Sequence, residues 1–190
     1  MSQVVHRRRG QAIFLLMMLT ALALDLATKS WIFSRLHPDK KIGLLPGMLS
    51  LETSLNEGAL FGMGAGWGSL FIGLSVVALL SIGYWVWRGG AAADGLLCLA
   101  LGCVTGGIVG NLYDRLGLPG LTWAGGKPVY AVRDFIHFQY HRFDWPIFNL
   151  ADSFLVCGVG LLVFHAYYWE PRRKRATSTA EEAAGGSAVG

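Results

Sequence analysis

The sequence predicts an all-α membrane protein, with four transmembrane helices and a small extracytoplasmic β-sheet and loop. Three observations predict it. Apolar residues make up 53% of the 190 residues and charged residues only 15%, against about 25% charged in a soluble domain. Four long apolar runs recur along the chain, each about 19–24 residues, enough to cross a hydrocarbon core of roughly 30 Å. One loop between them alternates polar and apolar residues with a period of two, as a half-buried strand does. The mean hydropathy of +0.45, the 26 Gly and the 7 Trp agree with membrane helices, where Gly lets backbones approach and Trp sits at interfaces.

The first span is expected over 12–33. Arg7, Arg8 and Arg9 precede it as in a signal peptide. The run nevertheless continues past Asp25 and Lys29 into Trp31-Ile-Phe33 with no small-residue cleavage site, so it reads as a retained helix. The second and third spans, 69–87 and 95–113, carry no charge. The fourth, 146–169, carries one acid, Asp152, and Pro146 suits its first turn, where a missing N–H costs nothing. In the first long loop Leu49, Leu51, Thr53 and Leu55 alternate with Ser50, Glu52 and Ser54. Pro46-Gly47 before them reads as a turn, 41–45 as the partner strand and 129–132 as a further one. Residues 1–170 form one domain, followed by a basic and then disordered cytoplasmic tail over 171–190, whose end is small, polar and Gly-rich.

The formal charge of +4 does not point to nucleic acid, because much of the basic charge flanks the first and last spans. The two tails and the 88–94 loop hold eight Arg and Lys in under 40 residues, whereas loops 34–68 and 114–145 hold seven in over 60. The denser side is expected to be cytoplasmic, which places both termini there and the long loops outside. Cys98, Cys103 and Cys157 all fall in apolar runs and read as small hydrophobes. No metal motif is present: His137 and His141 are four apart without an evident third ligand, in what reads as an irregular loop. Gly102, Gly106, Gly107 and Gly110 read as helix-packing glycines.

Charge inside a membrane costs at least about 2.5–3.5 kcal/mol per group, so its placement is informative. Asp25, Thr28 and Lys29 share one face of the first helix, Asn111 and Asp114 share one at the end of the third, and Asn149 and Asp152 lie near the start of the fourth. With the expected topology all three faces meet in the outer leaflet, Asp152 about six residues or roughly 9 Å inside. Asp134 sits in the outer loop among apolar neighbours. Two carboxylates in proximity share a proton and divide acid and base roles, which hydrolyses a peptide without a side-chain nucleophile. Asp134 and Asp152 are the candidate pair. Read on residues alone, Asp25 and Lys29 are first an internal ion pair, Arg115 is either a site residue or an interfacial snorkeler, and Asn56 is either a site contact or a turn residue. An ion path through Asp25, Lys29, Asp114 and Asp152 and a non-catalytic scaffold stand as rivals. The first is opposed by inner helix halves without acids and by the absence of an inverted repeat.

Five blocks, in order, resemble the bacterial lipoprotein signal peptidase family over about residues 10–170. They are Asp25-Leu-Ala-Thr-Lys29, Asn56-Glu-Gly-Ala-Leu-Phe-Gly62, Gly106-Gly-Ile-Val-Gly-Asn-Leu-Tyr-Asp-Arg115, Val132-Arg-Asp-Phe-Ile136 and Phe148-Asn-Leu-Ala-Asp-Ser153. The resemblance implies an intramembrane aspartic endopeptidase with Asp134 and Asp152 as the catalytic dyad. It implies that Asn56, Gly58, Asn111, Arg115 and Asn149 line the site, and that Asp25, Lys29 and Asp114 support it. It further implies prolipoprotein substrates carrying a diacylglyceryl-cysteine, cleavage just before that cysteine, contact with membrane lipids, inhibition by globomycin-type cyclic peptides, no cofactor or metal, and an inner-membrane location. The 116–130 segment is longer than in the family and rich in Gly and Pro.

Overall fold

The computed structural model describes residues 2–58 and 66–172. The second half of the Asn56–Gly62 block, with Phe61, and the expected disordered tail lie outside the described residues.

Among the described residues four helices are long and apolar enough to cross a membrane. They are α1 (Ser2–Arg35), α2 (Gly68–Trp87), α3 (Gly95–Arg115) and α4 (Leu150–Phe164), which continues through a π-helical turn at His165–Trp169. The first helix begins ten residues before the expected start of its span. Its basic turn is anchored where the Arg7 guanidinium donates to the Trp87 carbonyl at 3.0 Å. The third runs on to include Asp114 and Arg115. Asp94 caps it, its carboxylate accepting from the N–H groups of Leu96 and Leu97, which satisfies donors that a helix start leaves free.

Helix α3 is the centre of the bundle, buried over most of its length, while α2 buries only Val86 and turns Leu74, Val77 and Leu80 outward. Glycine makes this possible. A Cβ on Gly106 would stand 2.6 Å from the Ala21 Cβ, and one on Gly107 2.5 Å from the Ala151 carbonyl oxygen. Helices α1 and α4 therefore touch neighbouring faces of α3 at backbone distance.

Four antiparallel strands make one sheet in the order β1-β2-β3-β4: β1 (Ile42–Leu45), β2 (Leu49–Asn56), β3 (Val132–Tyr140) and β4 (Phe143–Asp144). The alternation over 48–55 and the partner over 41–45 appear as strands. The segment expected to be irregular around His137 is strand as far as Tyr140, and the turn follows at His141, with φ of 54°. Phe135 packs on Ile32 and Leu36, which seats the sheet on the C-terminal end of α1.

The fourth helix corrects the expected boundary. Residues 146–149 are not helical, and Leu150 is the first helical residue. Phe148 exchanges backbone hydrogen bonds with Ile136 at 2.8 and 3.0 Å, and the Trp145 N–H reaches the Phe138 carbonyl. These bonds to β3 hold the segment extended. Asp152 is consequently in the first turn of α4, not about six residues within it.

Candidate active site

Asn149 organises the site because it is the N-cap of α4. Its side-chain oxygen accepts from the Asp152 N–H, and its own N–H donates to Asp152 Oδ2, both at 3.1 Å, a reciprocal capping box. Its side-chain NH2 then faces away from the helix and donates to Asp134 Oδ1 at 2.6 Å and Asn111 Oδ1 at 3.1 Å. One residue thus holds Asp152 through its backbone and Asp134 through its side chain.

Asp134 comes from β3 and is 2% exposed. Its Oδ2 accepts from the Asn56 Nδ2 at 3.0 Å. The Asn56 amide is oriented for this, because its Oδ1 accepts from the Gly58 N–H at 2.9 Å. Burial, and then the neighbouring charge of Asp152, push the Asp134 carboxyl up to about 7. Asp152 Oδ1 accepts from the Asn111 Nδ2 at 2.8 Å. Arg115 donates to the Gly58 carbonyl at 2.9 Å and lies over the Phe71 ring, so it fixes the loop that carries Gly58.

Beneath these groups lies a buried ionic network. Lys29 is fully buried, and its ammonium meets Asp25 at 2.7 Å, Asp114 at 3.1 Å and Asn111 Oδ1 at 3.0 Å. An ammonium only donates, so it fixes the Asn111 oxygen toward itself and the Asn111 NH2 toward Asp152. Asp25 Oδ1 accepts from the Ala151 N–H at 2.9 Å. Asp114 and Arg115, adjacent in sequence, diverge: Asp114 turns into this network and Arg115 lines the cavity.

Both aspartates, with Asn56, Asn111 and Arg115, line one cavity of about 540 Å³. The rest of its wall is mostly apolar and includes Val132, Ile147, Phe148, Leu155 and Val156. The arrangement offers a carboxylate pair, amide and guanidinium donors for a peptide backbone, and an apolar wall. Asn149 hydrogen-bonds both aspartates.

Two features were missed in the sequence. Arg133 grips Asp114 Oδ1 through Nε at 3.0 Å and Nη2 at 2.9 Å, and its own N–H donates to Asp114 Oδ2 at 3.1 Å. Its signal was a guanidinium two residues before Phe135, on the same face of the strand. His137 is nearly buried and lies between Glu52 and Asp144, with Lys41 on the far side of Glu52. It ties β2, β3 and β4 together. Among the described residues no cluster of His, Cys, Asp and Glu is arranged to hold a metal ion.

Four membrane-length helices, with two aspartates at the wall of a largely apolar cavity, describe an integral membrane enzyme. The family model for signal peptidase (SPase) II matches residues 17–168. A lipoprotein signal peptidase of Rhodopirellula baltica is 44% identical over 154 residues, covering 76% of this chain and 67% of that one. Its counterpart in Sulfurihydrogenibium is 34% identical over 157 residues, covering 80% and 89%. A bacterial membrane enzyme solved by the in meso method at 2.3 Å resolution superposes with a TM-score of 0.70 at 26% identity, covering 80% of this chain and 86% of that chain. A second, at 1.9 Å, gives 0.68 at 26%, covering 82% and 92%. The chain belongs to the signal peptidase II family and is a multi-pass membrane peptidase.

Proposed function

We propose that this chain is an aspartic endopeptidase of the inner membrane that removes the signal peptide from diacylglyceryl-modified prolipoproteins, cutting just before the lipidated cysteine. The observation that carries the reading is Asn149, which joins Asp134 and Asp152 at the wall of a largely apolar cavity. The pair shares one proton, and the burial of Asp134 favours its residence there. Asp152 takes a proton from a water molecule as that water attacks the scissile carbonyl, and Asp134 gives its proton to the carbonyl oxygen. The tetrahedral intermediate then collapses: Asp152 gives the proton it took from water to the departing amine as the C–N bond breaks, and Asp134 recovers its proton from the intermediate's hydroxyl as the carbonyl re-forms. Asn56, Asn111 and Arg115 line the substrate side. Val132, Ile147, Phe148, Leu155 and Val156 offer an apolar surface for acyl chains, and the same surface suits globomycin-type inhibitors. The denser basic charge at the two tails and the 88–94 loop supports an orientation with both termini in the cytoplasm and the dyad toward the outer leaflet.

The test is cleavage by the purified chain in lipid nanodiscs with a chelator present. The expected result is cleavage of a diacylglyceryl-modified precursor, none of the unmodified precursor, and a block by a globomycin-type peptide. Equal rates on both precursors would contradict the lipid requirement, and no cleavage of either would contradict the substrate assignment.

A further inference from the structure

The backbone just before each aspartate is held in the same way. The Ala151 N–H, preceding Asp152, donates to Asp25, and the Arg133 N–H, preceding Asp134, donates to Asp114. Lys29 bridges those two carboxylates. Arg133 closes the network by gripping Asp114 with its own side chain, while its guanidinium lies 6.0 Å from the centre of the Phe33 ring on α1.

We propose that Arg133 is a positioning residue, which sets where Asp134 stands relative to Asp152 without hydrogen-bonding either of them. The inference rests on the dyad reading above and extends it to a residue outside the dyad. Arg133 is covalently next to Asp134, so a shift of its anchor on Asp114 moves the aspartate with it. The anchor cannot pivot freely, because Asp114 is held at both oxygens: Oδ1 by the guanidinium, Oδ2 by the Arg133 N–H and Lys29. A two-pronged guanidinium supplies a fixed orientation that a lysine would not.

Charge gives the second argument. Asp25, Lys29 and Asp114 are 0% exposed and Arg133 is 4% exposed, so the network holds two negative and two positive charges in a dry interior. Arg133 shares its stretch of strand with Phe135, which packs among apolar side chains. Packing alone would be served by an aliphatic residue, and a buried guanidinium is costly unless a partner needs it. Asp114 is that partner. Without Arg133 one negative charge beside the dyad is unbalanced, and it holds the shared proton more tightly.

The experiment measures kcat and KM against pH for full-length wild type, Arg133→Met, Arg133→Lys and the double variant Asp114→Asn/Arg133→Met, with folding followed by thermal melting. Arg133→Met is expected to lose about 10–100-fold in kcat, the scale of a small displacement of reacting groups, with KM nearly unchanged and the alkaline limb of the profile moved to higher pH. Arg133→Lys returns the limb to its wild-type position and recovers only part of kcat. The double variant restores neutrality, so its limb returns although kcat stays low. A folded Arg133→Met with wild-type kcat and limb overturns the proposal. A loss of activity that tracks melting with an unmoved limb also overturns it, because that is a structural role only. If Arg133→Met does not fold, Arg133→Lys decides: reduced kcat at constant KM supports the proposal and wild-type kinetics overturn it. A wild type inactive on a validated lipidated precursor sinks the dyad reading itself, and this proposal with it.

Discussion

Replacing Lys29 by Met keeps most of the aliphatic stem and removes the ammonium. In the native chain that ammonium serves Asp25, Asp114 and Asn111, all within 3.1 Å. Asp114 retains Arg133 after the substitution, but Asp25 Oδ2 loses its partner, since it accepts no other hydrogen bond. Lys29 and Asp25 are both fully buried. Stranding one member of a buried pair costs about 3–5 kcal/mol, and for a chain of this size about 2–4 °C of melting temperature goes with each kcal/mol. A fall on the order of 10 °C is expected, read by tryptophan fluorescence in one fixed detergent. The companion variant Asp25→Asn/Lys29→Met removes both charges and leaves nothing ionised without a partner, so it should melt above the single variant. The reasoning is refuted if Lys29→Met melts within about 1 kcal/mol of wild type, or if the double variant is the less stable of the two.

The raised Asp134 carboxyl gives a pH dependence whose sign is fixed. The folded chain keeps a proton up to about pH 7 that the unfolded chain loses near 3.8, so folding stability declines as pH rises through that window, by on the order of 4 kcal/mol if the whole shift is expressed. Cleavage should fall above about pH 7 as the shared proton is lost, and a rate still rising at that pH would contradict this. Gly107→Ala places a Cβ 2.5 Å from the Ala151 carbonyl and 2.7 Å from Leu155 Cγ. It should cost about 1–3 kcal/mol through overpacking and impair cleavage by moving the first turn of α4. Gly160→Ala meets nothing within 4 Å and should do neither. Equal melting and activity of the two variants would contradict the packing argument.

The spans were legible because charge is costly in hydrocarbon, and the strand over 48–55 from its alternating residues, although its burial does not alternate and the residue it buries is Glu52, held by Lys41 and His137. The Asp25–Lys29 pair was legible from its i, i+4 spacing. Other features depended on partners distant in the chain. Pro146 is a good first-turn residue, but Phe148 pairs with Ile136, so the helix waits for the Asn149 cap. No local pattern contains that bond. Arg133 sat inside a quoted block and went unread, because its partner Asp114 lies 19 residues away on another element. His137 was weighed as a metal ligand, whereas Glu52 on the adjacent strand and Asp144 on β4 take its two nitrogens. The divergence of Asp114 from Arg115 was in principle readable, since consecutive residues on a helix point about 100° apart.

The central claim is that Asp134 and Asp152 perform the hydrolysis as a pair. The most direct measurement is single-turnover cleavage of a diacylglyceryl-modified prolipoprotein by wild type, Asp134→Asn and Asp152→Asn, each shown to be folded by its melting curve. Asn preserves size and polarity and removes the acid. The account predicts that both variants stay folded and that each loses cleavage by at least about 10³-fold, within the about 10²–10⁴-fold that a positioned proton-transfer group contributes. A folded variant of either aspartate that cleaves at a near-wild-type rate would contradict it.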